Sequence, residues 1–128
     1  VNMEIKVIDT FKESEQVWIG LEEEVLRRKV FRSVNEAQVG AKKIVAGMAI
    51  FEPGERCAPH HHPDSEEFNF IVKGSGIVID GTNNKETRFK LHDFIFIPEG
   101  VEHVHYNDGN EPLLLLFAYA PPGELPSR

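Results

Sequence analysis

GERCAPHHHPDSEEFNFIVKG, residues Gly54 to Gly74, is the stretch on which the reading of the chain turns. Three histidines stand in a row, Glu66 and Glu67 follow, and FNFIV has the composition of a strand. His60 and His62 are two apart, so on an extended backbone they project from the same face. Glu67 lies five residues beyond His62, room for a short bend before the strand begins. Two imidazoles and a carboxylate facing one way make a mixed nitrogen and oxygen set suited to a divalent first-row metal. The competing reading is a solvated polar loop that happens to contain histidine. By parity His61 points away from the pair and reads as surface, as does Glu66. Asn69 follows Glu67 by two and faces the same way, where a buried amide needs a water, ligand or side chain to satisfy it. Cys57 has the opposite parity to His60 and reads as packing rather than as a nucleophile.

Downstream, HDFIFIPEGVEHVHYN runs from His92 to Asn107 and offers a third imidazole, His103, on a strand after a proline-glycine turn. All six histidines of the chain fall within or beside these two stretches. A satisfied core histidine explains any one of them but not the cluster. His105 shares parity with His103 and points inward, as a hydrogen-bond partner of the ligands or as an acid/base group. Phe94 and Phe96 alternate with Ile95 and Ile97, which reads as a strand buried on both faces.

Around these stretches the punctuation is regular. Ile44 to Phe51, Phe68 to Val72, Ile77 to Asp80, Thr87 to Leu91, Phe94 to Ile97, His103 to Asn107 and Leu113 to Tyr119 all read as strands. Turn signals such as Pro53-Gly54, DGTNNK and DGNEP separate them. Short strands at this spacing indicate an all-β sandwich or barrel. Ahead of them, Ser33 to Gly40 reads as a loop. Val1 to Ile8 alternates loosely like a strand, Thr10 and Glu13 form a capping-box pattern, and Trp18, Ile19 and Leu21 begin a second strand. The acidic run Glu22 to Glu24 is balanced by Arg27, Arg28 and Lys29, which together read as a solvated surface of mixed charge.

The 128 residues suit one domain over 1–128, with 1–24 as an N-terminal arm and 44–119 as the barrel. A net charge of -7 argues against a nucleic-acid partner and leaves small molecules as the default. No apolar run is long enough to cross a bilayer, so no membrane partner is expected. VNMEIKVID lacks the pattern of a secretory signal, and lone Cys57 fits a reducing cytoplasm.

The two histidine stretches resemble the paired motifs of the cupin family. The first is Gly, five residues, His-x-His, three or four residues, Glu, six residues, Gly, matched by Gly54, His60, His62, Glu67 and Gly74. The second is Gly, five residues, Pro-x-Gly, two residues, His, three residues, Asn, matched by Pro98, Gly100, His103 and Asn107. His92 stands where the first glycine of the second motif belongs, and histidine tolerates a left-handed backbone better than most residues. The resemblance implies a small single-domain cupin, a jelly-roll or double-stranded β-helix barrel. His60, His62, Glu67 and His103 would converge inside it on one divalent transition metal: iron, manganese, nickel, zinc or copper. It also implies a homodimer in which N-terminal strands join the neighbouring sheet.

Three imidazoles and one carboxylate leave one or two positions open on such an ion for an oxygen-rich or carboxylate-bearing molecule. Iron or copper would suit a dioxygenase, and manganese, nickel or zinc an isomerase, lyase or hydrolytic enzyme. His105 or Glu67 would move the proton, with Asn69 and Asn107 as supporting or substrate-contacting residues. A non-catalytic sugar- or metabolite-binding cupin is the alternative, though it would not need all four ligands. A purely structural metal fits less well, since such sites are usually closed and often contain cysteine.

Overall fold

The computed structural model describes residues 4–20 and 26–123. Alternating apolar residues build antiparallel strands throughout. These are β1 (Glu15–Ile19), β2 (Arg28–Val34), β3 (Val45–Phe51), β4 (Glu66–Lys73), β5 (Gly76–Asp80), β6 (Lys85–Phe89), β7 (Phe94–Ile97), β8 (His103–Tyr106) and β9 (Leu113–Ala120). Six strands form one sheet in the order β1-β2-β3-β9-β4-β7, and β6-β5-β8 form a second. The two pack as a jelly roll, the double-stranded β-helix. Phe51, Ile71, Leu113 and Leu115 of the large sheet and Phe89 of the small one fill the core.

A further piece of backbone completes the small sheet. The segment before the histidines runs antiparallel to β8, with bridges at Arg56–Tyr106 and His60–His103. Backbone hydrogen bonds hold it there, from His103 N to His60 O at 2.9 Å and from Asn107 N to Glu55 O at 3.0 Å. This pairing sets His60 opposite His103, although 43 residues separate them in sequence.

The strands of the barrel fall close to where the sequence places them. Several expectations about the N-terminal third need correction. Ser33 to Gly40 is not a loop: β2 continues to Val34, and a short helix α2 (Glu36–Val39) follows, capped by Asn35. Glu4 to Ile8 forms no strand, and Ile5 and Val7 lie exposed. The helical turn α1 (Thr10–Glu13) is capped by Asp9 rather than Thr10. Asp9 Oδ1 accepts from the Phe11 and Lys12 amides, and Glu13 Oε1 accepts from the Asp9 amide at 2.9 Å. Trp18 and Ile19 end a strand, β1, rather than begin one, while Leu21 and the acidic run lie outside the described residues.

Two corrections bear on function. Arg28 is not solvated: strand parity turns it inward with Val30, and it is only 5% exposed. Conversely, β7 is buried on one face only. Ile95 and Ile97 enter the core, but Phe94 and Phe96 are 70% and 62% exposed. They close two cross-strand rows on the outer face of the large sheet. One row runs Phe31, Met48, Leu116, Phe70, Phe94, and the next Ala46, Ala118, Phe68, Phe96. Phe11 of α1 packs edge-on against Phe31 at the far end, and the β7 end is open. His92 adopts the left-handed backbone, at φ 70°, that its place in the second motif requires.

Candidate metal centre

His60, His62, Glu67 and His103 come together, their ligand atoms all within 4.8 Å of one another. His60 and His103 arrive on the paired segments just described. Glu67 is the second residue of β4, the first to face inward. His62 reaches the cluster beyond its neighbour and stacks on Tyr119 at 4.3 Å between ring centres. His61 and Glu66 are exposed.

The backbone fixes which nitrogen each imidazole presents. Nδ1 of His60 lies 3.0 Å from the Ala58 carbonyl, and Nδ1 of His103 lies 2.9 Å from that of Val101. A carbonyl only accepts, so both Nδ1 atoms carry the proton and both Nε2 atoms keep a lone pair. Nε2 of His103 and of His62 then lie 3.5 and 3.3 Å from Glu67 Oε1. Oε1 and the His103 Nε2 are buried and have no hydrogen-bond partner among the described residues. Electron pairs that face one another in a dry interior are costly unless a cation lies between them. The donor set, the tautomers and these orphaned atoms all fit a divalent metal.

The electrostatics agree. Burial pushes Glu67 up, but the adjacent His103 and His62 outweigh it and hold the carboxyl well below its usual range. Burial takes His60 down to about 2. Burial likewise lowers His105 to about 3. Both imidazoles are therefore neutral at physiological pH, as ligation requires of His60.

A pH dependence follows. In the unfolded chain these histidines take protons near pH 6.5, whereas in the fold they refuse them until about 2 and about 3. The unfolded state thus gains protons first as pH falls below 6.5, and stability is lost. The depressed Glu67 acts in the same direction below its unfolded value. Urea unfolding of the metal-free protein should lose up to about 1.4 kcal/mol per pH unit for each histidine between pH 6.5 and 4. A flat profile there would count against neutral buried imidazoles.

Behind the ligands a chain of hydrogen bonds leads inward. Asn69 Nδ2 donates to Glu67 Oε2 at 2.9 Å, and Asn69 Oδ1 lies 2.7 Å from His105 Nε2. Since that oxygen must accept, His105 carries its proton on Nε2. Asn107 is placed differently. Its Nδ2 donates to the carbonyls of Phe51 and Glu111, and its Oδ1 accepts from the Gly109 amide. Those bonds commit it to the loops, and it does not line the cavity. Cys57 is fully buried, its thiol pushed up by burial, and it receives the His105 amide at 3.2 Å.

A small cavity of about 40 Å³ opens beside the ligands. His60, His62, Glu67 and His105 contribute to its walls, as do Arg28 and Arg32 from β2. The arginines went unrecognised in the sequence. Their only signal was their parity with Val30, obscured by the charged run around them.

The family profile described as Cupin domain matches residues 47–119, more than half of the chain. The chain belongs to the cupin family. Among curated cupin relatives, the tetracenomycin polyketide synthase protein TcmJ of Streptomyces glaucescens is 31% identical over 85 residues, 66% of this chain and 56% of that protein. A gentisate 1,2-dioxygenase from Ralstonia is 35% identical over 83 residues, 63% of this chain and 22% of that enzyme. The cupin thus spans about half the length of TcmJ and less of the dioxygenase. Among solved structures, a predicted oxalate decarboxylase from Thermotoga maritima superimposes with a TM-score of 0.76 at 20% identity, covering 91% of this chain and all of that one. At that identity the likeness speaks for the fold.

Proposed function

We propose that this cupin is a metal-dependent enzyme acting on a small oxygen-rich or carboxylate-bearing molecule. The observation that carries the reading is the convergence of three imidazoles and one carboxylate, two of their atoms orphaned, at the wall of a cavity. His60, His62, Glu67 and His103 would hold one divalent ion. When bound, iron or copper supplies dioxygenase chemistry, and manganese, nickel or zinc supplies the Lewis acidity of an isomerase or lyase.

The chain's own residues do the rest. The Ala58 and Val101 carbonyls keep two imidazoles in the ligating tautomer. Asn69 fixes the Glu67 carboxylate, and His105 fixes Asn69. With its basicity lowered to about 3, His105 is better suited to this positioning role than to acid/base work. The apolar walls exclude water from the reacting face. Similarity to a gentisate 1,2-dioxygenase supports the dioxygenase branch. Reconstitution with each metal in turn, followed by oxygen uptake and product assays on a panel of hydroxy- and keto-acids, tests the proposal. Turnover with any metal supports it. Saturable binding without turnover for every metal would favour the non-catalytic module instead.

The proposal extends to a homodimer. The outer face carrying Phe68, Phe94 and Phe96 is flat, aromatic and uncovered at its β7 end, so a twofold axis there would bury the same stripe on both copies. Ile5 and Val7, exposed on their own chain, would find cover on the second copy. Light scattering after size exclusion should give twice the monomer mass, and the Phe94→Asp/Phe96→Asp variant should run as a monomer. A monomeric wild type at tens of micromolar would end this part of the proposal.

A further inference from the structure

We propose that the cleft between β6 and β7 binds an α-amino acid with an apolar side chain, its ammonium beside Asp80 and its carboxylate beside Lys85. The site is separate from the cavity at the metal centre, and it stands whether or not that centre is catalytic.

The cleft has a volume of about 380 Å³, several times that of the cavity beside the ligands and within the roughly 300–1,000 Å³ of small-molecule sites. It lies where the two sheets end without meeting, since β6 is the last strand of the small sheet and β7 the last of the large one. Strand register decides what the small sheet presents to it. Asp80 stands opposite both Lys85 and His103, Val78 opposite Thr87, and Gly76 opposite Phe89. Phe89 belongs to the core, so all of these share the inward face. That face is apolar at Val78 and Phe89 and ends in two charges and a hydroxyl. Of the four ligand candidates, only His103 reaches the wall of the cleft.

The polar groups are not spent on one another. Asp80 Oδ1 accepts from the Thr82 amide at 2.8 Å, which leaves the second carboxylate oxygen open. Asp80 and Lys85 are directly opposed, yet they form no ion pair among the described residues. Lys85 is held through its backbone amide, and its ammonium and the Thr87 hydroxyl have no partner there either. The other charged residues of the wall are neutralised, Arg88 by Asp108 and Asp93 by Lys90. One anion and one cation therefore stand open at the same end of an apolar cleft. A ligand with a single charge gains at one of them and is repelled by the other, whereas a zwitterion meets both. An ammonium and a carboxylate on one carbon define an α-amino acid, and Thr87 adds a hydroxyl donor for the carboxylate.

The rest of the wall specifies the side chain. Val78, Phe89, Ile95, Ile97 and Val101 line it. Val78 is the next inward residue along β5 from Asp80, so apolar surface begins roughly 7 Å from the charges, within reach of a phenylalanine or methionine side chain. Such a side chain gains there by burial, and a polar one would lose its hydration without compensation.

L-Phenylalanine is the probe, titrated by NMR into the protein as purified, beside N-acetyl-phenylalanine, phenylalaninamide and glycine. The first analogue lacks the ammonium, the second the carboxylate and the third the body. Phenylalanine should saturate and shift the amides of Val78 to Thr87 and of Ile95 to Val101. Each analogue should bind about threefold or more weakly, the effect of losing one exposed ion pair or the buried ring. Lys85→Met should remove the preference over phenylalaninamide. Asp80→Asn keeps an acceptor for the Thr82 amide and should remove the preference over N-acetyl-phenylalanine. Failure to saturate at tens of millimolar would overturn the proposal, as would equal binding of phenylalanine and both charge-deleted analogues, even if neither variant folds. Binding that disappears once a chelator has removed metal would also overturn it, because chelation of the metal by the amino acid would then explain the shifts. Binding retained by the metal-free protein supports the cleft, and it does so even where turnover assays end the metalloenzyme reading.

Discussion

Protein purified without chelator should hold about one equivalent of a divalent transition metal, and the Glu67→Gln/His103→Ala variant almost none. The expectation follows from how the site is held. Glu67 Oε1 lies 3.3 and 3.5 Å from the Nε2 atoms of His62 and His103, and the buried Oε1 and His103 Nε2 both carry electron pairs with no partner. Each protein ligand removed should weaken binding by more than the 10- to 100-fold, roughly, that loss of a supporting hydrogen bond costs. Asn69→Ala supplies that milder case, since its amide holds the other carboxylate oxygen. Mass spectrometry of the purified proteins gives the metal count, and thermal unfolding gives an independent reading. At a free metal concentration 100 times Kd, wild type should gain about 2.7 kcal/mol of stability, and the double variant nothing. A double variant that folds and still carries a full equivalent would sink the assignment of the ligands.

The second large effect is one of stability. Asn107 is completely buried, and its side chain makes three hydrogen bonds, to Phe51, Glu111 and Gly109. Its backbone makes two more, with Gly54 and Glu55, so one residue ties three connections to the end of β8. Asn107→Ala takes this partner from the buried Phe51 carbonyl and cuts the ties to the Glu111 carbonyl and the Gly109 amide at the protein's edge. The loss should be about 3 kcal/mol, or roughly 10–15 °C in Tm. Denaturant unfolding of the metal-free forms would measure it, and a cost below about 1 kcal/mol would mean that water replaces the amide. Affinity for a small ligand should change little, because Asn107 does not reach the cavity.

Much of this was legible in the residues alone. Period-two alternation and turn signals located the barrel strands, because each strand has one face in the core. The ligands were legible because metal chemistry restricts residue type and strand geometry restricts spacing. Three things were not. Phe94 and Phe96 are as apolar as their inward neighbours, and nothing in FIFI distinguishes a covered face from an open one. Arg28 was hidden for the converse reason, since a cation in a charged run reads as solvent-facing until the strand's parity is known. The meeting of His60 with His103 depends on a backbone ladder that no local pattern announces.

One strand carries the consequence furthest. On β4, Glu67, Asn69 and Ile71 face the interior while Phe68, Phe70 and Val72 face out. Loss or gain of a single codon between Glu66 and Lys73 would exchange the two sets, turning a phenylalanine toward the three histidines and the carboxylate toward solvent. Changes of two codons would preserve the assignment. Descendants of this gene should therefore vary in the length of β4 by even steps, and absorb odd ones in the turns at either end or in an irregularity like the register shift between Ile71 and Lys73.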